Sequence, residues 1–126
     1  MPAIALPLNN LAQTLAQSGR AAEALAIQQR ALQISEAALP AEHSDIARRL
    51  RNVGYTLWTL GRLEDALPLE QRALQITETA LPAGHLTITL GLDNLAQTLT
   101  DLGRREEALP LRQRAAENRA TRTQDK

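Results

Sequence analysis

The sequence contains no cysteine and no phenylalanine, and Tyr55 and Trp58 are its only phenol and indole side chains. Without cysteine there is no disulfide, no thiolate nucleophile and no thiolate-bound metal, and the composition fits a reducing compartment without requiring one. An excess of either charge is missing too, because 14 basic and 14 acidic residues cancel to a net charge of zero. That removes the long-range attraction expected of a binder of nucleic acid or anionic membrane. No apolar run approaches the roughly 20 residues needed to span a bilayer. The opening residues, Met1 to Pro7, lack a basic leader and carry proline where a signal peptide does not. These absences predict a cytoplasmic protein with no membrane or nucleic-acid partner. At 126 residues the chain suits one compact unit. A core without phenylalanine must be packed with Leu, Ile, Val and Ala, and alanine-rich surfaces let helices approach closely.

What is present is a repeat. The stretch Leu8-Asn9-Asn10-Leu11-Ala12-Gln13-Thr14-Leu15 returns as Leu92-Asp93-Asn94-Leu95-Ala96-Gln97-Thr98-Leu99, with Leu50-Arg51-Asn52-Val53-Gly54-Tyr55-Thr56-Leu57 between them. Leu8 to Leu50 and Leu50 to Leu92 are each 42 residues. The same shift carries Gly19-Arg20 onto Gly61-Arg62 and Gly103-Arg104, and Gln29 to Ile34 onto Gln71 to Ile76. It also carries Ala38-Leu39-Pro40-Ala41 onto Ala80-Leu81-Pro82-Ala83, and His43 onto His85. Self-similarity at one fixed period is the signature of a repeat architecture.

Each copy reads as two helices. In the second copy Leu50, Val53, Gly54, Leu57 and Leu60 fall on one helical face. Gly61 stops that helix as a left-handed cap. The next helix opens near Leu63 with Glu64 and Asp65 in its first turn, where the helix dipole favours anions. It turns Ala66, Leu67, Leu69, Ala73, Leu74, Ile76 and Ala80 inward and ends before Pro82. The predicted spans are about 7–18, 21–39, 43–60, 63–81, 85–102 and 105–120. Pro68 and Pro110 lie inside helices, where each removes a backbone hydrogen bond, and the first copy has Ala26 there. Leu86 to Gly91 looks strand-like by propensity, but its register against Ser44 to Arg49 makes it helical. The expected fold is an all-α, right-handed α-solenoid of three helix-turn-helix repeats, with six antiparallel helices. Repeat one covers about 3–42, repeat two 43–84 and repeat three 85–120, with a frayed tail at 121–126. The first copy is short at its start, which leads us to expect a segment of a larger natural array.

Small residues late in each first helix, a glycine turn, and two alanines in each second helix complete the pattern. They are Ala12, Gly19, Ala24 and Ala31, then Gly54, Gly61, Ala66 and Ala73, then Ala96, Gly103, Ala108 and Ala115. This resembles the tetratricopeptide repeat, in the 42-residue variant of kinesin light chains and many bacterial arrays. The sequence departs from that family where an aromatic is common, having Gln28, Glu70 and Arg112 instead. It also lacks the family's usual His-Pro, having His43-Ser44 and His85-Leu86.

The resemblance implies that first helices line a concave groove. On the middle one, Arg48, Arg51, Tyr55 and Trp58 share a face roughly opposite Val53, Leu57 and Leu60. Aromatic and Arg side chains are the usual interface anchors, so these four are candidates for binding a partner. The competing reading is that they fill space between helices. Asn10, Asn52 and Asn94 hold one position in successive copies. Stacked amides can grip an extended backbone whatever its sequence, a role that the resemblance also implies, or they can satisfy neighbouring helices. Gln13, Asp93, Gln97 and Asp101 are expected on the same face. Arg48 and Arg51 together with Asp93 and Asp101 suit a ligand carrying both charge signs.

No catalytic grouping stands out. His43 and His85 sit on adjacent repeats, on the order of 10 Å apart, too far to share one metal ion. They read as helix-entry residues. There is no Ser-His-Asp grouping, glycine-rich phosphate loop or metalloprotease motif. Enzyme activity, cofactors and metals are therefore not expected. The sequence reads as a protein- or peptide-binding scaffold. The alternative is a self-assembling or structural segment that forms homo-oligomers through its exposed ends.

Overall fold

A computed structural model describes residues 19–124 of the chain. They form five helices: α1 (Ala21–Ala38), α2 (Ser44–Thr59), α3 (Leu63–Ala80), α4 (Leu86–Asp101) and α5 (Arg105–Gln124). The first expected helix, 7–18, lies outside the described residues. Leu86 to Gly91 is helical, as its register requires. The last helix runs to Gln124, beyond the end expected at 120 and through most of the expected tail. No Gly or Pro interrupts Ala120 to Gln124, so the hydrogen-bond ladder continues.

Each turn has a local cause. Gly61 adopts φ 78° and Gly103 φ 79°, the left-handed region open to glycine. Arg62 N–H then donates to Leu57 C=O at 2.8 Å, and Gly61 N–H to Trp58 C=O at 2.9 Å. This paired closure satisfies carbonyls that the helix end would leave bare. It recurs as Arg104 to Leu99 and Gly103 to Thr100. At the other end of each hairpin, His43 and His85 cap α2 and α4. The Nδ1 of each accepts from the backbone N–H two residues on, Asp45 or Thr87, at 3.1 Å. Arg62 closes a further local pair with Asp65 at 3.0 Å, and Arg104 pairs likewise with Glu107.

Successive helices pack on one another along the stack, α1 on α2 through to α4 on α5. Such nearest-neighbour packing defines a solenoid. The core is aliphatic. Ile46, Ala47, Leu50, Ala73 and Ile76 form one cluster, and Leu67, Leu74, Ile88, Leu92, Leu95 and Leu99 belong to the next. Two expected inward residues differ: Leu60 is partly exposed because it caps its helix, and Ala80 is exposed at the end of α3.

Polar pairs cross the core in the same register. Thr56 Oγ1 donates to Gln28 Oε1 at 2.5 Å, and Thr98 Oγ1 donates to Glu70 Oε1 at 2.7 Å. On the outer side Arg72 pairs with Glu36 and Arg114 with Glu78, each at 2.9 Å. These exposed pairs join successive second helices and fix spacing more than they add stability.

Candidate groove and recess

A recess opens between α2 and α4, floored by α3. Its cavity volume is about 120 Å³. From α2 come Arg51, Tyr55 and Trp58, and from α3 come Glu70, Ala73, Leu74 and Thr77. Thr87, Gly91, Asn94 and Gln97 of α4 close it.

The recess exists because of one residue type. Gly91 leaves the α4 wall bare, and a Cβ there would meet Leu74 Cδ1 at 3.2 Å. The equivalent position one repeat earlier is Arg49, only 3% exposed, whose Nε donates to Ser35 Oγ at 3.3 Å. Burial, and after it the neighbouring Arg48, lower the Arg49 pKa. Its Nη1 is buried with no hydrogen-bond partner. Thus a guanidinium fills the α1–α2 junction, whereas glycine leaves the equivalent α3–α4 junction open. Thr77 stands where Ser35 stood, and it accepts instead from Arg51 Nη1 at 3.3 Å.

Glu70 reaches the recess from below and is only 8% exposed. Gly54 makes room for it: a Cβ there would come within 3.1 Å of Glu70 Cγ. Burial raises the Glu70 pKa to about 7, against the opposing pull of the Thr98 hydrogen bond. Arg51 is half-buried, and burial and then Arg48 lower its pKa.

The aromatic pair forms the rim. Tyr55 is 62% exposed and Trp58 37%, with ring centroids 6.0 Å apart at 28°. Trp58 Nε1 donates across the recess to Asp101 Oδ2 at 2.7 Å. Gln97 Nε2 donates to the other oxygen, Asp101 Oδ1, at 2.9 Å. The indole is therefore held in place while part of it stays exposed.

Of the residues singled out in sequence, Arg51, Tyr55, Trp58, Asn94 and Gln97 meet at this recess, with Asp101 beside it. Arg48 pairs with Asp45 of its own helix at 3.2 Å and borders a shallower hollow toward Thr87. Asn52 is half-buried, already partnered, and away from the recess walls. Asp93 turns the other way and pairs with Arg119 of α5. It occupies the register of Arg51, and both face the second helix of their own repeat. Asn10 and Gln13 lie outside the described residues. Sequence reasoning missed Glu70, Thr77, Gly91 and Thr98. The signal was the polar series Gln28, Glu70 and Arg112, where the resembling family prefers an aromatic. Among the described residues no group of three or more His, Asp or Glu could hold a metal ion. No described helix is long and apolar enough to cross a membrane.

Comparison with known proteins fits this geometry. A family model described as tetratricopeptide repeat matches residues 3–79, and a second of the same description matches 91–117. No curated protein matches by sequence. Among solved structures, a Podosopora anserina protein described as a kinesin light chain with nearly identical TPR-like repeats superposes with a TM-score of 0.86 at 20% identity. That match covers 95% of this chain and 57% of the other. BtubC (BKLC) from P. vanneervenii gives 0.84 at 21% identity, over 94% of this chain and 48% of that one. The TPR domain of Arabidopsis FLU gives 0.80 at 17%, over 93% and 95%. The chain thus spans about half the length of the first two.

Proposed function

Because the chain belongs to the tetratricopeptide-repeat family, we propose that it is a protein-binding scaffold taking an extended peptide along the first helices. The bound segment centres on the recess between α2 and α4. The observation that carries this reading is the exposed aromatic pair. Tyr55 and Trp58 stand over an apolar wall of Ala73, Leu74 and Gly91, and the indole is already oriented by Asp101. A pre-oriented ring loses little freedom on binding and buries a large area, which is how interface anchors act. Asn94 and Gln97 on the facing rim offer amides to a peptide backbone.

The test is a random-peptide display screen on the purified protein beside an Arg51→Ala, Tyr55→Ala, Trp58→Ala triple variant. Circular dichroism checks that the variant keeps its helices, because these side chains lie outside the aliphatic core. The expected result is a family of peptides sharing a motif, retained by the wild type and lost by the variant. No enrichment, or equal retention by both proteins, would reject the groove. Sedimentation velocity would then test the self-assembling alternative through concentration-dependent oligomers.

A further inference from the structure

The recess is electrically divided along its length. Glu70 and Thr77 are two helical turns apart on α3, roughly 10 Å along its axis. Arg51 is held at the Thr77 end, and Arg48 borders the adjoining hollow. At the Glu70 end stands Asp101, one turn beyond Thr98 on α4 and hydrogen-bonded to the Trp58 indole. One end is therefore cationic and the other anionic, about a Debye length apart at physiological salt.

The anionic end is incomplete. One oxygen of Glu70 accepts from Thr98, and the other has no protein partner. It is not sealed in the core either, since Arg49 Nη1 is the one fully buried, partnerless side-chain polar atom among the described residues. That oxygen therefore keeps some open surface, and Glu70 is among the residues that line the recess. Glu70 is 92% buried, and its carboxylate, with one donor, lacks a second. Repeat one shows that an amide can take the place of the carboxylate in this register. Gln28 occupies the same register and takes the same hydrogen bond from Thr56.

We propose that this end of the recess receives a basic side chain, Lys or Arg, of the bound peptide, its head on the free Glu70 oxygen. Its methylene stem lies along Leu74 and Ala73, and the Trp58 face covers the charge. Arg51, at the far end, takes a carbonyl or carboxylate of the same peptide about three extended residues away. This assignment rests on the proposed groove and names what the groove selects.

A cation on Glu70 favours its ionised form, so binding strengthens as that carboxyl ionises. The groups around the recess are Tyr55 and, at its far end, Arg51 from α2, and from α4 the neutral Asn94, Gln97 and Thr98, with Asp101 on the Trp58 indole. On α5, Arg112 is held by Thr100 at 3.1 Å.

The probe is a set of acetylated, amidated heptapeptides enriched in the display screen, remade with Lys, Gln, norleucine or Glu at each position in turn. Affinities are read by fluorescence anisotropy at pH 6 and pH 8, for the wild type and Glu70→Gln. At one position Lys should exceed norleucine by about tenfold at pH 8 and by clearly less at pH 6. Glu70→Gln should keep its helices while losing the Lys preference and its pH dependence. A preference for norleucine or Glu at every position, or a Lys preference surviving in Glu70→Gln, would overturn the assignment and leave the groove standing. If no peptide binds the wild type, the groove itself fails, and the assignment with it.

Discussion

Burial works against the charge of Glu70. Its carboxyl is buried and its pKa raised to about 7. The folded state then holds a proton that the unfolded chain has released, between the unfolded value of 4.5 and about 7. Stability from this group is full below that window and is lost as pH rises through it. The loss is on the order of 3 kcal/mol. Glu70→Gln cannot titrate, and Gln28 shows that the amide fits this register. Urea unfolding at pH 5 and pH 8 should show the wild type falling relative to the variant, which becomes the more stable protein at pH 8. Parallel pH profiles for the two proteins would mean that Glu70 is solvated in the folded state.

At the scale of the element, specific residues set both ends of α2 and α4. Gly61 and Gly103 take left-handed dihedrals, and His43 and His85 accept the first free backbone N–H groups through Nδ1. Pro68 and Pro110 instead lie inside α3 and α5, and Pro68 leaves the Glu64 carbonyl without its helical donor. At the same register α1 has Ala26. Pro68→Ala should restore that donor and raise stability by about 1–3 kcal/mol. Thermal and urea melts would measure the change. An unchanged or lower midpoint would mean that the helix is adapted to its proline.

For the whole molecule, burial depends on a residue's neighbours in the stack. Leu25 and Leu67 hold the same place in successive second helices, and both are buried. Leu109 holds that place in α5 and is 63% exposed. Leu67 packs in the cluster containing Leu92, Leu95 and Leu99 of α4. Leu67→Ala should therefore cost about 2–5 kcal/mol, and Leu109→Ala less than about 0.5. Equal losses in urea unfolding would show that Leu109 is covered in solution, and sedimentation would then identify a second copy as the cover.

Helix type, hairpin order and register were determined by the chain alone. A 42-residue self-similarity with glycine and proline at fixed places leaves local hydrogen bonding little choice. That is why even the β-branched Leu86 to Gly91 segment could be read as helix. That Arg51, Tyr55 and Trp58 share one face of α2 was legible too, because helical periodicity assigns faces. Which neighbours those faces meet was not legible. Arg49 reads as surface charge but fills a junction, and Gly91 reads as a weak helix residue but opens one. Asp93 is adjacent to Asn94 in sequence yet turns about 100° away to pair with Arg119. Glu70 stands out in sequence only as a polar residue where the resembling family has an aromatic, until Gly54 admits it, Thr98 binds it and burial moves its pKa. Periodicity follows from bonds within one helix. The recess and its charges arise where three helices meet, and only the tertiary structure brings them together.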